Sequence, residues 1–248
     1  MFKSINNNFL ILVLFLCACL VLSCAKMAEQ PGTAYVYNRV DELLEGDLDD
    51  TVSVAAVRRR LKNDSIGLGT TSRSDNGEVV IVGKSIFWID PEGASVREIT
   101  DPGETLPFCA VAYIPSSARR FELSGGDLKE MVLARCRDTG EGLLALKIAG
   151  EFYDVKVSVA KTIPRSGFDF EDPGNCLAYF TEGEADWVMV GFYAASAEDQ
   201  RILSVEGHPV HIHGVNDDRS FGGHIQKAKV KNAVLFTHTI TTLTLMNK

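Results

Sequence analysis

The chain has 248 residues, which is enough for one large domain or two small ones. Apolar residues make up 46 % of it and charged residues 23 %, a globular composition that excludes a disordered, collagen-like or low-complexity protein. The formal net charge of −8 argues against a protein that binds nucleic acid through a basic surface. All five histidines lie between positions 208 and 238, so a site built on imidazole groups must come from the last part of the chain.

The first residues predict a targeting segment. The positively charged Lys3 precedes an unbroken apolar run over residues 9–22. This run is shorter than the ~20 residues that a membrane span needs, and it fits a signal peptide. The run ends in Val21-Leu22-Ser23-Cys24, which resembles a bacterial lipobox. The resemblance implies cleavage after residue 23 and lipidation of Cys24, and so a cell-envelope protein held to the membrane only through lipid. A non-cleaved anchor and an ordinary secreted protein are the alternatives.

The mature chain keeps three cysteines besides the lipidated one: Cys109, Cys136 and Cys176. An odd number allows at most one disulfide within the chain, and none of the three has C-x-x-C spacing. We expect them mainly to be buried small apolar side chains. Whether two of them are paired stays open at this point.

The order of elements predicts an α+β fold dominated by strands. Residues 24–34 are a polar tether, and apolar spacing predicts helices over 40–48, 54–61 and 127–135. Alternating and apolar runs predict strands over 66–70, 78–82, 85–89, 108–114, 143–148, 152–159, 176–181, 187–194, 205–215 and 224–246. The runs 143–148 and 152–159 are expected to pair as a hairpin.

The polar connection over residues 164–175 is the best candidate for a domain boundary. It divides the mature chain into an N-terminal α/β subdomain, residues 35–163, and a C-terminal β subdomain, residues 176–248. All five histidines fall in the second of these subdomains.

The histidine segment carries the clearest chemistry. Residues i and i+2 of a strand point to the same face, so His211 and His213 project together. The turn-rich residues 216–223 let the chain return and bring His224 beside them. Three neutral imidazoles with an open position make a catalytic zinc site, whereas the alternative is a histidine-rich edge strand that binds nothing. The histidines that are not expected to be ligands are His208 and His238.

Three parts of this segment, His211-x-His213, Asp218-Arg219 and Gly222-Gly223-His224, closely resemble the zinc motif of the acetolactate decarboxylase family. Weaker similarities follow the family's order over most of the mature chain. They are Leu43-Leu44-Glu45-Gly46, Ile66-Gly67-Leu68-Gly69-Thr70, Gly77-Glu78 and Pro107-Phe108-Cys109.

The resemblance implies a two-domain fold built on β-sheets and a Zn²⁺ enzyme that converts 2-acetolactate, a 2-hydroxy-3-oxo acid, to acetoin and CO₂. It implies that His211, His213 and His224 bind the metal. Glu78 matches the family's catalytic glutamate and would be an acid/base or a positioning group, although a solvated glutamate beside a turn is the alternative. A metal on the ketone and hydroxyl oxygens stabilises the charge left by CO₂, and a protein acid then supplies a proton.

Two departures from the family concern the catalytic groups. Where the family has a catalytic arginine in a strand, this chain has Lys147, which keeps the charge but loses the planar fork that grips a carboxylate. The family's late catalytic glutamate has no counterpart, because no Asp or Glu follows Asp218. Glu78 and Lys147 are therefore the catalytic candidates.

Two other functions stay open. A chain that kept the metal site and lost the decarboxylation would be a surface lipoprotein that binds a metal or a small ligand. A cupin-type oxygenase or a hydrolase is the other alternative, but cupins expect a glutamate a few residues after H-x-H, where this chain has Gly214-Val215-Asn216-Asp217. A homodimer is neither indicated nor excluded by the sequence.

Overall fold

The computed structural model describes residues 32–49, 51–71 and 76–246. The predicted signal peptide, Cys24 and most of the predicted tether lie outside them. The strands are β1 Thr33–Tyr37, β2 Val52–Ser53, β3 Ser65–Thr70, β4 Glu78–Val82, β5 Ser85–Ile89, β6 Val96–Glu98, β7 Thr105–Leu106, β8 Phe108–Tyr113, β9 Arg119–Leu123, β10 Leu143–Ala160, β11 Leu177–Glu182, β12 Ala185–Ala194, β13 Val210–Asn216, β14 Gly222–Thr239 and β15 Thr242–Leu245. The helices are α1 Val40–Leu44, α2 Val54–Arg58, α3 Leu128–Asp138 and α4 Ala197–Leu203, with a 3₁₀ turn at Pro173–Asn175.

The first sheet has seven strands in the order β15-β1-β8-β3-β4-β5-β6. All its neighbours are antiparallel except β1 and β15. Its β4–β5 hairpin was predicted from two apolar runs around Gly83-Lys84, and both strands have the predicted bounds. Gly83 has a φ of +61°, which glycine adopts without steric cost, so the turn residue and the flanking apolar runs agree.

The second sheet closes on itself through its four longer strands. β10 pairs with β12, β12 with β13, β13 with β14, and β14 returns to pair with β10. β11 extends the sheet beside β10, and β9 extends it beside β14. Closure satisfies the backbone hydrogen bonds of both edges of this group of strands and forces β10 and β14 to bend.

The hairpin predicted from residues 143–148 and 152–159 is wrong, because these residues form the single 18-residue strand β10. Gly150 lies within it at a φ of +150°, and the register of β10 against β14 shifts at three places beyond Gly150. A Cβ at Gly150 would collide with the backbone of Asn232 and Ala233 on β14. Gly150 therefore lies at a bend where β10 and β14 come close together. A glycine at such a bend gives the same local sequence pattern as a glycine in a turn.

Strands β1, β2, β6, β7 and β9 were not predicted, and most of the other elements differ at their ends. The predicted strand 205–215 begins only at Val210, and the preceding helix α4, capped by Ser196, was not predicted. The predicted helices over 40–48 and 54–61 are α1 and α2, which are shorter, and the helix predicted over 127–135 is α3. All three predicted cysteines are buried and free, which confirms their apolar role and means that none of these three forms a disulfide.

Sheet membership does not follow the predicted boundary over residues 164–175. β9 and β10 precede this connection but lie in the second sheet, whereas β15 follows it and lies in the first. Both sheets contribute to one buried apolar cluster, and β4 of the first sheet contacts β12, β13 and β14 of the second. The other face of the first sheet is covered by α2 and has its own cluster around Trp88. The predicted subdomains therefore do not correspond to the two sheets, and the division of the chain into subdomains stays a prediction.

None of the four helices in residues 32–246 is long and apolar enough to cross a membrane.

Candidate metal centre

Strands β13 and β14 bring the predicted histidines together. His211 and His213 lie on one face of β13, and His224 on β14 is directly opposite His213 in the ladder. The ring centroid of His211 lies 4.9 Å from the centroids of both His213 and His224. The centroids of His213 and His224 lie 5.3 Å apart. One nitrogen from each ring lies within 4.8 Å of the others, so the three can reach a common point.

The close approach of β12 to β13 sets the position of these rings. Gly191 on β12 pairs with Ile212, the residue between the two β13 histidines. A Cβ at Gly191 would collide with the main-chain carbonyl oxygen of His211. The strand that carries two of the candidate ligands can therefore lie in its register only because residue 191 has no side chain.

Hydrogen bonds to the main chain orient two of the rings. Nδ1 of His211 lies 2.5 Å from the carbonyl oxygen of Leu203, and Nδ1 of His213 lies 2.9 Å from that of Val79. A carbonyl can only accept, so each Nδ1 carries the proton and donates it. Each Nε2 is left with a lone pair directed into the site, which is the arrangement that orients metal-binding histidines.

The two Nε2 atoms of His211 and His213 lie only 3.0 Å apart. With both protons on Nδ1, two lone pairs face each other in a buried place, and a positive ion between them would remove this repulsion. The third ring, His224, adds another nitrogen donor. Three imidazole nitrogens are a donor set that Zn²⁺ and neighbouring transition metals bind, so the residues present fit a metal ion.

Burial keeps these histidines neutral. It lowers the pKa of His211 to about 4, with a smaller contribution from the positive charge of Lys129. Burial also holds the pKa values of His213 and His224 well below the ordinary value, and the neighbouring His211 lowers both further. Neutral imidazole is the form that binds metals, so the rings are ready to bind one at neutral pH.

Glu78, at the start of β4, reaches the same site from the other sheet. Its Oε2 lies 3.6 Å from Nε2 of His213, and its Oε1 accepts a hydrogen bond of 3.1 Å from the backbone N–H of Ala160. Burial raises the pKa of Glu78 to about 8, although the Ala160 hydrogen bond opposes the shift. Without a bound cation this side chain therefore holds a proton at neutral pH, and the alternative of a solvated glutamate beside a turn is wrong.

The four side chains line a cavity of about 360 Å³. In the described part of the chain, Glu78 is its only carboxylate and Lys129 its only lysine or arginine. Much of the wall is apolar, and it includes residues of α1 and of the connection 161–176, which are hydrogen-bonded to each other. Apolar residues on these segments include Val40, Leu43, Ile163, Phe168 and Phe170.

Lys147, the other predicted catalytic residue, is not among the residues that line this cavity. It pairs with Val190 and Phe236 near the start of β10, whereas Ser158, near the end of the same strand, pairs with His224. Lys147 lies nearer to the histidines across the sheet than along it, because its partner Val190 also pairs with His213. Neighbouring strands are ~4.8 Å apart, so the backbone of Lys147 lies about 10 Å from that of His213. Lys147 does not line the cavity, and its catalytic assignment stays a prediction.

The sequence missed five polar residues of the cavity wall: Lys129, Ser158, Tyr179, Ser204 and Gln226. The side-chain amide of Gln226 donates a 2.8 Å hydrogen bond to the hydroxyl of Ser158. Ser158 and Gln226 belong to strands whose alternation was visible, but their common face depends on the bends in β10. The other histidines are placed differently: exposed His208 lines the cavity, and His238 lies opposite Ala145.

The family model described as alpha-acetolactate decarboxylase matches residues 34–247. The chain belongs to this family. Its relatives include the alpha-acetolactate decarboxylase of Streptococcus thermophilus, 26 % identical over 208 residues, which cover 81 % of this chain and 82 % of that protein. The enzyme of Lactococcus lactis subsp. lactis is 26 % identical over 209 residues, with 81 % of each chain covered.

Solved structures of similar proteins share the fold of this family member. A Staphylococcus aureus protein of unknown function, described as similar to alpha-acetolactate decarboxylase, gives a TM-score of 0.72 at 20 % identity, covering 86 % of this chain and 88 % of the other. Alpha-acetolactate decarboxylase from Bacillus subtilis strain 168 gives 0.71 at 16 % identity, with coverages of 87 % and 90 %. The predicted β-dominated α+β fold, built from sheets, is therefore confirmed.

Proposed function

We propose that this protein binds Zn²⁺ through His211, His213 and His224 and decarboxylates 2-acetolactate to acetoin and CO₂. The observation that carries the proposal is the pair of Nε2 atoms 3.0 Å apart, each with its Nδ1 held by a main-chain carbonyl. Family membership supplies the reaction, and the cavity supplies room for a small organic acid.

The metal would supply a positive charge that stabilises the electrons left on the substrate's ketone oxygen when the carbon–carbon bond to the carboxylate breaks. The protein's own part is to hold the acid and then to deliver one proton to carbon. Glu78 is suited to deliver the proton, because it is the only carboxyl group among the described residues of the cavity and lies beside His213. The apolar walls limit competing protonation by bulk water.

Glu78 has a second role open to it, since Oε2 at 3.6 Å from Nε2 of His213 is near enough to approach the ion. Glu78→Gln separates the two roles, because the amide preserves size and removes the acid. If Glu78 is the proton donor, the variant keeps its zinc affinity and loses turnover. If Glu78 is a ligand, zinc affinity itself falls, as titration with a competing chelator would measure. Glu122→Gln, on exposed β9, is the matched control.

The test of the reaction uses the soluble fragment that begins at Ala25. The fragment is stripped with chelator, reloaded with one equivalent of zinc and given racemic acetolactate. We expect acetoin and CO₂ in equal amounts, and loss of both on chelation. Full zinc loading with no product from either enantiomer would overturn the decarboxylase proposal.

The presence of only one carboxylate among the described cavity residues favours a second candidate function. A family member that lacks a second acid would bind a metal and a small ligand without processing it. In that case His211→Ala abolishes metal binding, and neither the variant nor the parent forms acetoin. Acetoin formation by the parent excludes this candidate.

We further propose that the chain is a lipoprotein of the cell envelope, as the lipobox-like residues Val21-Leu22-Ser23-Cys24 indicate. Labelling of expressing cells with a radioactive fatty acid should mark the parent protein and not Cys24→Ser. Cys109→Ser, which changes a buried cysteine, should remain labelled. Recovery of unlabelled parent from the aqueous fraction would contradict the proposal.

A further inference from the structure

We infer that Lys129 is the residue that binds the carboxylate of an anionic substrate in this cavity. The inference rests on the proposed function for the identity of the acid, but it concerns a binding contact that is measurable without turnover. It gives the cavity a positive group, whereas Lys147, which the sequence suggested, does not line the cavity.

Lys129 is placed at the cavity by its helix. Helix α3 packs against β13 and β14, the two strands that carry the histidines. Its start is held to β14, because the N–H of Val230 donates to the carbonyl of Gly126 at 3.0 Å and Asp127 forms a bridge with Lys229. The side chain that follows two residues later therefore has a defined position on the cavity wall.

Lys129 lines the same cavity as the three histidines. Its own pKa is lowered, chiefly by burial and against the opposing effect of Asp127. The half-buried cation is thus poorly solvated before any anion enters.

Local structure gives no other reason for a lysine here. The carboxylate of Asp127 is already engaged at the helix N-terminus, where it accepts from the backbone N–H of Lys129 at 3.1 Å and of Glu130 at 3.4 Å. A positive side chain in the first helical turn also opposes the helix dipole. Within the described residues, the Lys129 ammonium forms no ion pair with a carboxylate. An anionic ligand would supply the missing counter-charge.

The remaining lining defines the class of ligand. The hydroxyl of Ser158 and the amide of Gln226 offer polar contacts, and the rest of the cavity is mainly apolar. A small 2-hydroxy acid with alkyl substituents fits this combination, with its carboxylate on Lys129. Loss of CO₂ removes the negative charge, so the product loses this ion pair and leaves more readily than the substrate.

The test compares an acid with its uncharged amide. Calorimetry measures the binding of 2-hydroxy-2-methylpropanoate and of 2-hydroxy-2-methylpropanamide to the zinc-loaded fragment. We expect the parent to prefer the acid, and Lys129→Met to weaken acid binding by roughly tenfold to a hundredfold while binding of the amide is unchanged. Lys129→Arg should restore much of the preference, because it retains the charge.

Lys227→Met is the matched control, since it removes one positive charge from the exposed side of β14 next to Gln226. Thermal unfolding of each variant verifies that it is folded, and Lys129→Gln replaces the methionine variant if that one is not. Equal acid preference in the parent and the Lys129 variants overturns the inference, as does a parent that binds neither probe. Where acetolactate is turned over, we expect Lys129→Met to raise KM by a similar factor and to change kcat little.

The two proposals can fail separately. Acid preference that depends on Lys129, in a protein that forms no acetoin, would support the inference and end the decarboxylase proposal. Acetoin formation with an unchanged KM in Lys129→Met would do the reverse.

Discussion

The two sheets differ in how they are specified. The first is built from short antiparallel strands joined by tight turns, and β3, β4 and β5 are almost wholly buried. The second contains two 18-residue strands, β10 and β14, that bend and pair along most of their length. The first contributes one side chain, Glu78, to the candidate metal centre, whereas the second contributes all three histidines.

The sheet with the shorter and more regular strands is therefore not the sheet that carries the candidate metal ligands. In the first sheet, β3, β4 and β5 were each predicted from their own residues, and each pairs with the strand that follows it in the chain. In the second, the ladder between β10 and β14 joins Leu144 to Thr239, so its pairs depend on chain closure over long distances. The candidate metal centre lies where β13 and β14 of the second sheet contact the start of β4 in the first sheet.

The largest effect is expected at the histidine pair. His211→Ala removes one donor and leaves the hydrogen-bonded carbonyl of Leu203 without its partner, so zinc affinity should fall by more than about a hundredfold. Competition with a chelator measures the affinity. His238→Ala, also on the second sheet but outside the cavity, is the control and should change zinc affinity less than threefold, about 0.6 kcal/mol. Comparable losses in both variants would show that the ion is held elsewhere.

The next largest effect is expected from adding a methyl group where β12 approaches β13. Gly191→Ala places this group against the carbonyl of His211. We expect the free energy of unfolding to fall by about 2–4 kcal/mol and metal binding to weaken. Val80→Ala, in the first sheet, leaves a cavity and should cost about 1–3 kcal/mol without a comparable change in metal affinity. Urea denaturation and metal titration measure both quantities.

Gly183→Ala is the control for the glycine change, because nothing lies within 4 Å of the added Cβ. Its stability should differ from the parent by less than about 0.5 kcal/mol. If Gly191→Ala behaved like this control, the close approach of β12 and β13 would not determine the position of the ligands.

The two sheets should also respond oppositely to pH in the metal-free protein. His211, with a pKa of about 4 in the folded state, stays neutral while the unfolded chain takes up protons below about 6.5, so stability falls as the pH drops from 6.5 toward 4. Glu78, with a folded pKa of about 8, stays protonated while the unfolded chain ionises above about 4.5, so its contribution is lost as the pH rises toward 8.

The lowered pKa values of His213 and His224 add to the acid-side slope, so maximum stability is expected near pH 6.5. Above it, the slope due to Glu78 is about 1 kcal/mol per pH unit. Glu78→Gln should remove the decline between pH 6.5 and 8 and leave the acid side intact. Denaturation midpoints measured across this range would contradict the assignment if parent and variant had parallel profiles.

The smallest effect is expected at His208. It is exposed on the cavity wall, and replacement by alanine should change zinc affinity less than threefold, about 0.6 kcal/mol. Its loss removes a weak positive influence on His224, so any change in metal affinity should be a small increase. A large decrease in zinc affinity would make His208 a ligand.

Much of the first sheet was predictable because its information is local. The β4–β5 hairpin has both its turn and its strands within Glu78–Val82 and Ser85–Ile89, and its bounds were correct. The geometry of the histidines was also predictable, since i, i+2 spacing on β13 and a turn before His224 need no distant contact. The bend at Gly150 was not, because a glycine that accommodates a neighbouring strand has the same local pattern as a glycine in a turn.

The sequence by itself determined the β-rich fold class, the family and the three imidazoles that face one another, because alternation and short turns act over a few residues. Only the tertiary structure decided which other groups meet them. Glu78 arrives from another sheet, Lys129 arrives from a helix held to β14, and Lys147 does not line the cavity. The physical reason is that the charged side chains of a buried site come from whichever strands and helices pack around it. In this fold that packing depends on strand pairs between residues that are far apart in the chain.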